Sequence, residues 1–154
     1  GHGGEYFDKS VVIDEDVLAK AREAGDLLPL HGAAFLYGID AITELLPKVK
    51  QVATFDSSFH QSMKKEAFLY AIPLDQYEKH KIRRYGFHGT SHKYVAEEAA
   101  KMLGYKGKFI SCHLGGGASV TAIENGCSVD TSMGFTPMAG MIMATLIRIF
   151  RCIS

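Results

Sequence analysis

"RRYGFHGTSHKYVAEEAAKMLG", residues 83–104, divides into two halves of different character. The first, 83–94, packs two histidines four apart, two glycines, a Thr-Ser pair and two arginines into one stretch with no apolar run of the kind a core needs. From Ser91 onward the spacing predicts a capped helix. Val95, Ala99, Met102 and Leu103 form its apolar stripe and Gly104 its C-cap. A polar, ionisable loop is thus set at the start of a helix.

Upstream, residues 14–24 read as a helix with Asp14 as N-cap, acids in the first turn and Gly25 at the stop. A second helix is predicted over 32–47, with Phe35, Ile39, Ile42 and Leu46 on one face and Pro47 ending it. "KQVATF", residues 50–55, reads as a short strand leading into Asp56. A carboxylate at the C-terminal end of a strand is where open α/β sheets bind ligands. Downstream the period changes from helical to alternating, and three strands are predicted near 108–114, 118–123 and 127–131. Asn125-Gly126 signals a two-residue hairpin, and Gly115-Gly116-Gly117 makes the other connection.

Composition narrows the function. At 154 residues the chain suggests one domain as a starting expectation. With 47% apolar and 22% charged residues, it has the makings of a packed core. Lys+Arg and Asp+Glu both number 17, so no net charge argues for nucleic acid or an anionic membrane surface. No apolar run approaches the ~18 residues of a membrane span, and the N-terminus carries no signal-peptide pattern. Three cysteines without a CxxC pair, Cys112, Cys127 and Cys152, fit a reducing, cytoplasmic compartment rather than a disulfide framework.

Each motif has a functional and a plain reading. Glycines between two strands, as in "HLGGGAS" (113–119), free backbone amides to face phosphate oxygens, or make a hairpin with no ligand. His88 and His92 have a spacing that zinc sites use, but "HGTSH" lacks the glutamate of HExxH, and Gly89 stands where the helix should begin. The other readings are a solvated or capping pair, or one histidine donating to an anionic substrate. In "FDSSFH" (55–60), Asp56 is a candidate to organise Mg²⁺ or a nucleophile, or else a helix cap. Ser57 and Ser58 lack the GxSxG elbow of a hydrolase triad.

Taken in order, "HGGE" (2–5), "LPLH" (28–31), "FDSSFHQSM" (55–63), "YEKHKIRRYGFHGTSHKYV" (77–95), "CHLGGGASV" (112–120) and "SVDTSMGFTP" (128–137) closely resemble the acetate and propionate kinase family over about residues 2–143. The resemblance implies a ribonuclease H-like fold of the actin-like ATPase superfamily, here an incomplete two-domain slice. Residues 1–58 would be the end of the first α/β domain and 59–106 a helical junction carrying GFHGTSH. Residues 107–154 would be the opening β-hairpins of the second domain plus an atypical tail. It implies phosphoryl transfer between Mg²⁺-bound ATP and a short-chain carboxylate, acetate giving acetyl phosphate and ADP, in a cytoplasmic homodimer. His88 is similar to the histidine that donates to the transferring phosphoryl, and Asp56 to the aspartate that organises Mg²⁺, with no direct metal ligand in this chain. His113 with Gly115, Gly116 and Gly117 resembles a second phosphate-binding turn. His31 matches another active-site histidine, and Leu30, Phe87 and Pro137 match an apolar pocket for the substrate's methyl end.

Departures from the family pattern are specific. Gly116 replaces the usual asparagine of HLGNG, and Gly32-Ala33 follow Leu30-His31 where LHNP is usual. Leu146 stands where an arginine is expected to clamp the phosphoryl, and the substrate-binding arginine of "RVVHGGE" would precede Gly1. After Asp130 there is no acidic residue, and "ATLIRIFRCIS" (144–154) matches no cap or turn pattern. Similarity stops near Met143, which a frameshift at that point would explain. The isolated chain is expected to be inactive. Rival expectations are a propionate kinase, a non-catalytic remnant that self-associates through open strand edges, and a zinc site of His88, His92 and His113.

Overall fold

The computed structural model describes residues 1–27 and 29–144, with residues 29–31 described by their backbone alone. The chain divides into two compact units, Gly1–Ser58 and Phe59–Ser154. Among the described residues no helix is long and apolar enough to cross a membrane.

The first unit holds β1 (Val11–Val12), α1 (Glu15–Asp26), α2 (Pro29–Leu45) and β2 (Val52–Ala53). Asp14 caps α1 as its sequence predicts: its backbone is extended and its carboxylate accepts the Val17 amide at 2.8 Å. The strand expected over 50–55 shrinks to two residues, which pair antiparallel with β1 through Val11↔Ala53 and Val12↔Val52. Phe7, Val17, Ala21, Ala53 and Phe55 form the core, with the Phe7 and Phe55 rings stacked at 4.1 Å. Phe35 and Ile39 face inward on α2, but Ile42 and Leu46 of the predicted stripe are exposed.

Helices α1 and α2 touch through glycines. A Cβ at Gly32 would lie 2.5 Å from the Gly25 carbonyl oxygen and 2.7 Å from its Cα. No side chain fits that gap without the helices moving apart.

The second unit begins with a 3₁₀ turn (Ser58–Ser62, spanning the boundary) and two short helices that the sequence did not announce, α3 (Lys65–Phe68) and α4 (Leu74–His80). It continues with α5 (Gly89–Leu103) and the antiparallel meander β3 (Lys108–Leu114), β4 (Ala118–Glu124) and β5 (Cys127–Thr131). The last three strands fall where alternation places them. Asn125 and Gly126 both take positive φ, 53° and 85°, the signature of the type I′ hairpin their pairing predicts. A bulge at Val129 lets Ser128 pair with Ile123 and Asp130 with Ala122.

Hydrophobicity does not by itself mark the inward face of this sheet, where Ile123 is buried among hydroxyl side chains. Ser111, Ser119, Thr121, Ser128 and Thr131 are buried, whereas Ile110 is 70% exposed and Leu114 72%. The stripe predicted for α5 is corrected in the same way. Met102 is 85% exposed and Val95 and Leu103 are exposed, while His92, Ala96 and Gly89 are buried. Helix α5 therefore presents a polar and small-residue face to a polar sheet.

Gly32→Ala should lower the stability of the first unit by about 1–3 kcal/mol through overpacking. Limited proteolysis should cut residues 1–58 faster while sparing the second unit, and unchanged cleavage would show that the helices do not meet there.

Candidate functional site

The loop Gly86–His88 is held from both sides. Gly86 has φ 74°, and a Cβ there would lie 2.5 Å from Thr131 Cγ2 and 2.6 Å from His60 Cδ2. The amides of Tyr85 and Gly86 both donate to the Gly134 carbonyl, at 3.1 and 3.3 Å. The Phe87 carbonyl accepts from His60 Nε2 at 3.0 Å. So fixed, His88 takes a left-handed conformation, φ 57°, as the N-cap of α5, and its carbonyl accepts the His92 amide at 3.0 Å. The two arginines of the opening stretch act structurally. The Arg83 guanidinium stacks 3.6 Å above the Phe68 ring, and Arg84 pairs with Asp130 at 2.8 Å.

Paired histidines and serines run through an interior that also buries Tyr85, Ile123 and Met133. His60 Nδ1 meets Ser128 Oγ at 2.8 Å, His88 Nδ1 meets Ser119 Oγ at 2.8 Å, His92 Nδ1 meets Ser111 Oγ at 2.9 Å, and His113 Nδ1 meets Ser91 Oγ at 2.9 Å. Ser119 is shared, since His92 Nε2 also reaches it at 2.8 Å. Strand pairing puts Ser119 opposite His113, which brings the His113 ring over His88 in a stack with centroids 4.0 Å apart and planes 21° apart. Among the described residues, no group of three or more His, Cys, Asp or Glu is arranged to hold a metal ion. The rings that the rival zinc reading drew on, His88, His92 and His113, are hydrogen-bonded to serines instead.

The glycine turn closes over these rings. A Cβ at Gly117 would lie 3.2 Å from both His88 Cε1 and His88 Nε2, so that edge of the imidazole faces the turn. Gly115 donates its amide to the Gly117 carbonyl at 2.9 Å, so this glycine's N–H closes the hairpin. A Cβ at Gly116 would meet nothing within 4 Å. The family's usual asparagine would therefore fit there.

His88, His113 and the glycine turn are brought together in the second unit. Phe87 is buried just before His88, and Pro137 is half-buried beyond β5. Asp56 belongs to the first unit, where it is half-buried and its amide donates to the Gly1 carbonyl at 2.9 Å. Leu30 and His31 lie on α2, but their side chains are outside the described residues, as is Leu146. His60, Ser91, Ser111 and Ser119 were not singled out from the sequence. The one available signal was that each stands inside or beside a motif already marked, "FDSSFH", "GTSH", "SCHLGGG" and "GGGAS".

Residues 1–148 match the model of the acetokinase family. The chain is 55% identical over 147 residues to the acetate kinase of Caldanaerobacter subterraneus subsp. tengcongensis, covering 94% of this chain and 37% of that protein. It is 58% identical to the acetate kinase of Bacillus mycoides over the same shares. Its fold matches the crystal structure of Porphyromonas gingivalis acetate kinase with a TM-score of 0.88 at 48% identity, over 92% of this chain and 36% of that one. A propionate kinase from Francisella tularensis subsp. tularensis matches with the same TM-score, 0.88, at 45% identity, over 98% of this chain and 42% of that one. The α/β class and the incomplete slice of that fold stand as the sequence led us to expect.

Two substitutions separate packing from function in this loop system. Gly86→Ala should cost at least about 2 kcal/mol, because it adds a strained φ to a steric clash. Gly116→Ala should be neutral or stabilise by up to about 1 kcal/mol, since its φ is unstrained and its surroundings open. Gly86→Ala should lower the denaturant midpoint, and Gly116→Ala should leave it at or above the parent value.

Proposed function

The chain belongs to the acetokinase family, and from that premise we propose that its second unit cradles a phosphoryl group passing between ATP and a short-chain carboxylate, with acetate as the acceptor, giving acetyl phosphate and ADP. The chain spans 37% of the length of the curated relatives it matches, so the complete reaction is proposed for the longer assembly. The observation that carries this reading is the His88–His113 stack set between the N-terminus of α5 and the Gly117 turn.

The chemistry follows from charge. A transferring phosphoryl group is metaphosphate-like, with negative charge spread over three equatorial oxygens. The first turn of α5 carries no acidic residue, and its amides have no partner within the helix. The helix dipole adds partial positive charge at this end. His88 Nε2, on the edge facing the turn, is placed to donate to one such oxygen, and His113 sits parallel to it. Donors already in position need not rearrange as the charge develops.

In this proposal Asp56 organises Mg²⁺ through water. A half-buried carboxylate fits that role, since Mg²⁺ keeps several waters and takes one or two carboxylates. Mg²⁺ would neutralise charge on the ATP phosphates. By family correspondence Leu30, Phe87 and Pro137 hold the acid's methyl end and His31 lies by the substrate, while Gly115, Gly116 and Gly117 face phosphate. The propionate kinase match keeps propionate as a second acceptor. A pocket of this kind discriminates by only ~1–3 kcal/mol per methylene. Homo-oligomerisation and a cytoplasmic location belong to the same proposal.

Phosphate or ATP at 100 times its dissociation constant should stabilise the chain by about 2.7 kcal/mol, and His88→Ala should remove most of that shift. Thermal melts with and without ligand check this, and a parent chain that no phosphate ligand stabilises would overturn the assignment. A hydroxamate assay with acetate and Mg-ATP should show negligible turnover for this chain, because Leu146 replaces an arginine of a kind worth ~10³–10⁵ in rate.

A further inference from the structure

Ser119 is fully buried and lies within 2.8 Å of two imidazole nitrogens, His88 Nδ1 and His92 Nε2. A hydroxyl has one proton and two lone pairs. It therefore cannot donate to both rings, and at least one histidine must donate to it. Beyond His92 the chain continues to Ser111 Oγ, giving the sequence Ser111–His92–Ser119–His88. Such a chain has a direction. In one sense Ser111 donates to His92 Nδ1, His92 Nε2–H donates to Ser119, and Ser119 donates to His88 Nδ1. His88 then carries its proton on Nε2, the nitrogen that faces the Gly117 turn. If His88 Nδ1 donates to Ser119 instead, neutral His88 presents a lone pair to the turn and repels an anion.

Two other histidines, whose own partners leave no choice, carry the proton on Nε2. His60 Nε2 faces the Phe87 carbonyl, which can only accept, so the proton is on Nε2 and Ser128 donates to Nδ1. His2 Nδ1 accepts the Gly4 amide at 2.9 Å, so its proton too is on Nε2. We propose that Ser119 is a positioning residue which, anchored through His92 to Ser111, fixes His88 as the Nε2–H tautomer and so makes it an obligatory hydrogen-bond donor toward a phosphoryl oxygen. This rests on the phosphoryl site proposed above. It adds a direction to the network and assigns a role to three residues, Ser119, His92 and Ser111, with no direct contact to substrate.

The tautomers are readable directly. In uniformly ¹⁵N-labelled chain at about pH 8, where ordinary imidazoles are neutral, long-range ¹H–¹⁵N correlations should show His88 and His92 both as Nε2–H. Ser119→Ala should leave His88 a mixture of tautomers and weaken inorganic phosphate binding roughly tenfold. Ser119→Thr, which keeps the hydroxyl, should restore both. An Nδ1–H tautomer at either histidine of the parent chain overturns the proposal, whether or not Ser119→Ala folds. So does a Ser119→Ala variant with parental tautomers and parental phosphate affinity. If the parent chain shows the Nε2–H pair but binds no phosphate, the phosphoryl reading fails while the hydrogen-bond direction stands.

Discussion

A hydroxyl proton has one destination, and the second unit is built around that scarcity. Its interior holds His60, His92, Ser111, Ser119, Thr121, Ser128 and Thr131, all buried. An apolar interior tolerates small errors of fit, but a buried polar group without a partner costs about 1–3 kcal/mol. Each serine must therefore meet its histidine, which sets the register of β3 against β4 and the rotation of α5 above them. Thr121 and Thr131 meet across the strands at 2.9 Å in the same way. Polar networks of this kind specify one arrangement when complete.

Glycine then sets how closely the elements approach. Gly86 lets the loop pass against Thr131 and His60, and Gly117 lets the turn pass against His88. At Gly116, beside that approach, an added Cβ would have open space. Two of these three glycines answer to packing, and the third, where the family usually carries asparagine, does not.

Much of the architecture was legible because local signals were strong. Asp14 announces α1, Asn125-Gly126 announces the hairpin, and the alternation of "KFISCHL" announces β3. Alternation states that a strand has two faces without saying which is inward. In β3 one face is Ile110, Cys112 and Leu114 and the other is Phe109, Ser111 and His113, and hydrophobicity alone chooses wrongly. The same bias selected Val95, Met102 and Leu103 on α5 over His92 and Ala96. The motifs marked His88 and His113 from the sequence. Their serine partners lie 22 and 31 positions away along the chain, a separation that no local pattern encodes. α3 and α4 were missed because they are only 4 and 7 residues long, too short for a helical period to show.

His88 holds a backbone conformation that an L-residue adopts at a cost of about 1–2 kcal/mol, and it makes no capping bond in return. Glycine or asparagine would sit more comfortably at that position. Either would relieve that strain but would also remove the ring that meets Ser119 at 2.8 Å and stacks on His113, so the two effects on stability oppose each other. Position 88 thus trades backbone ease for side-chain bonding, and a single measured stability there sums two terms of opposite sign.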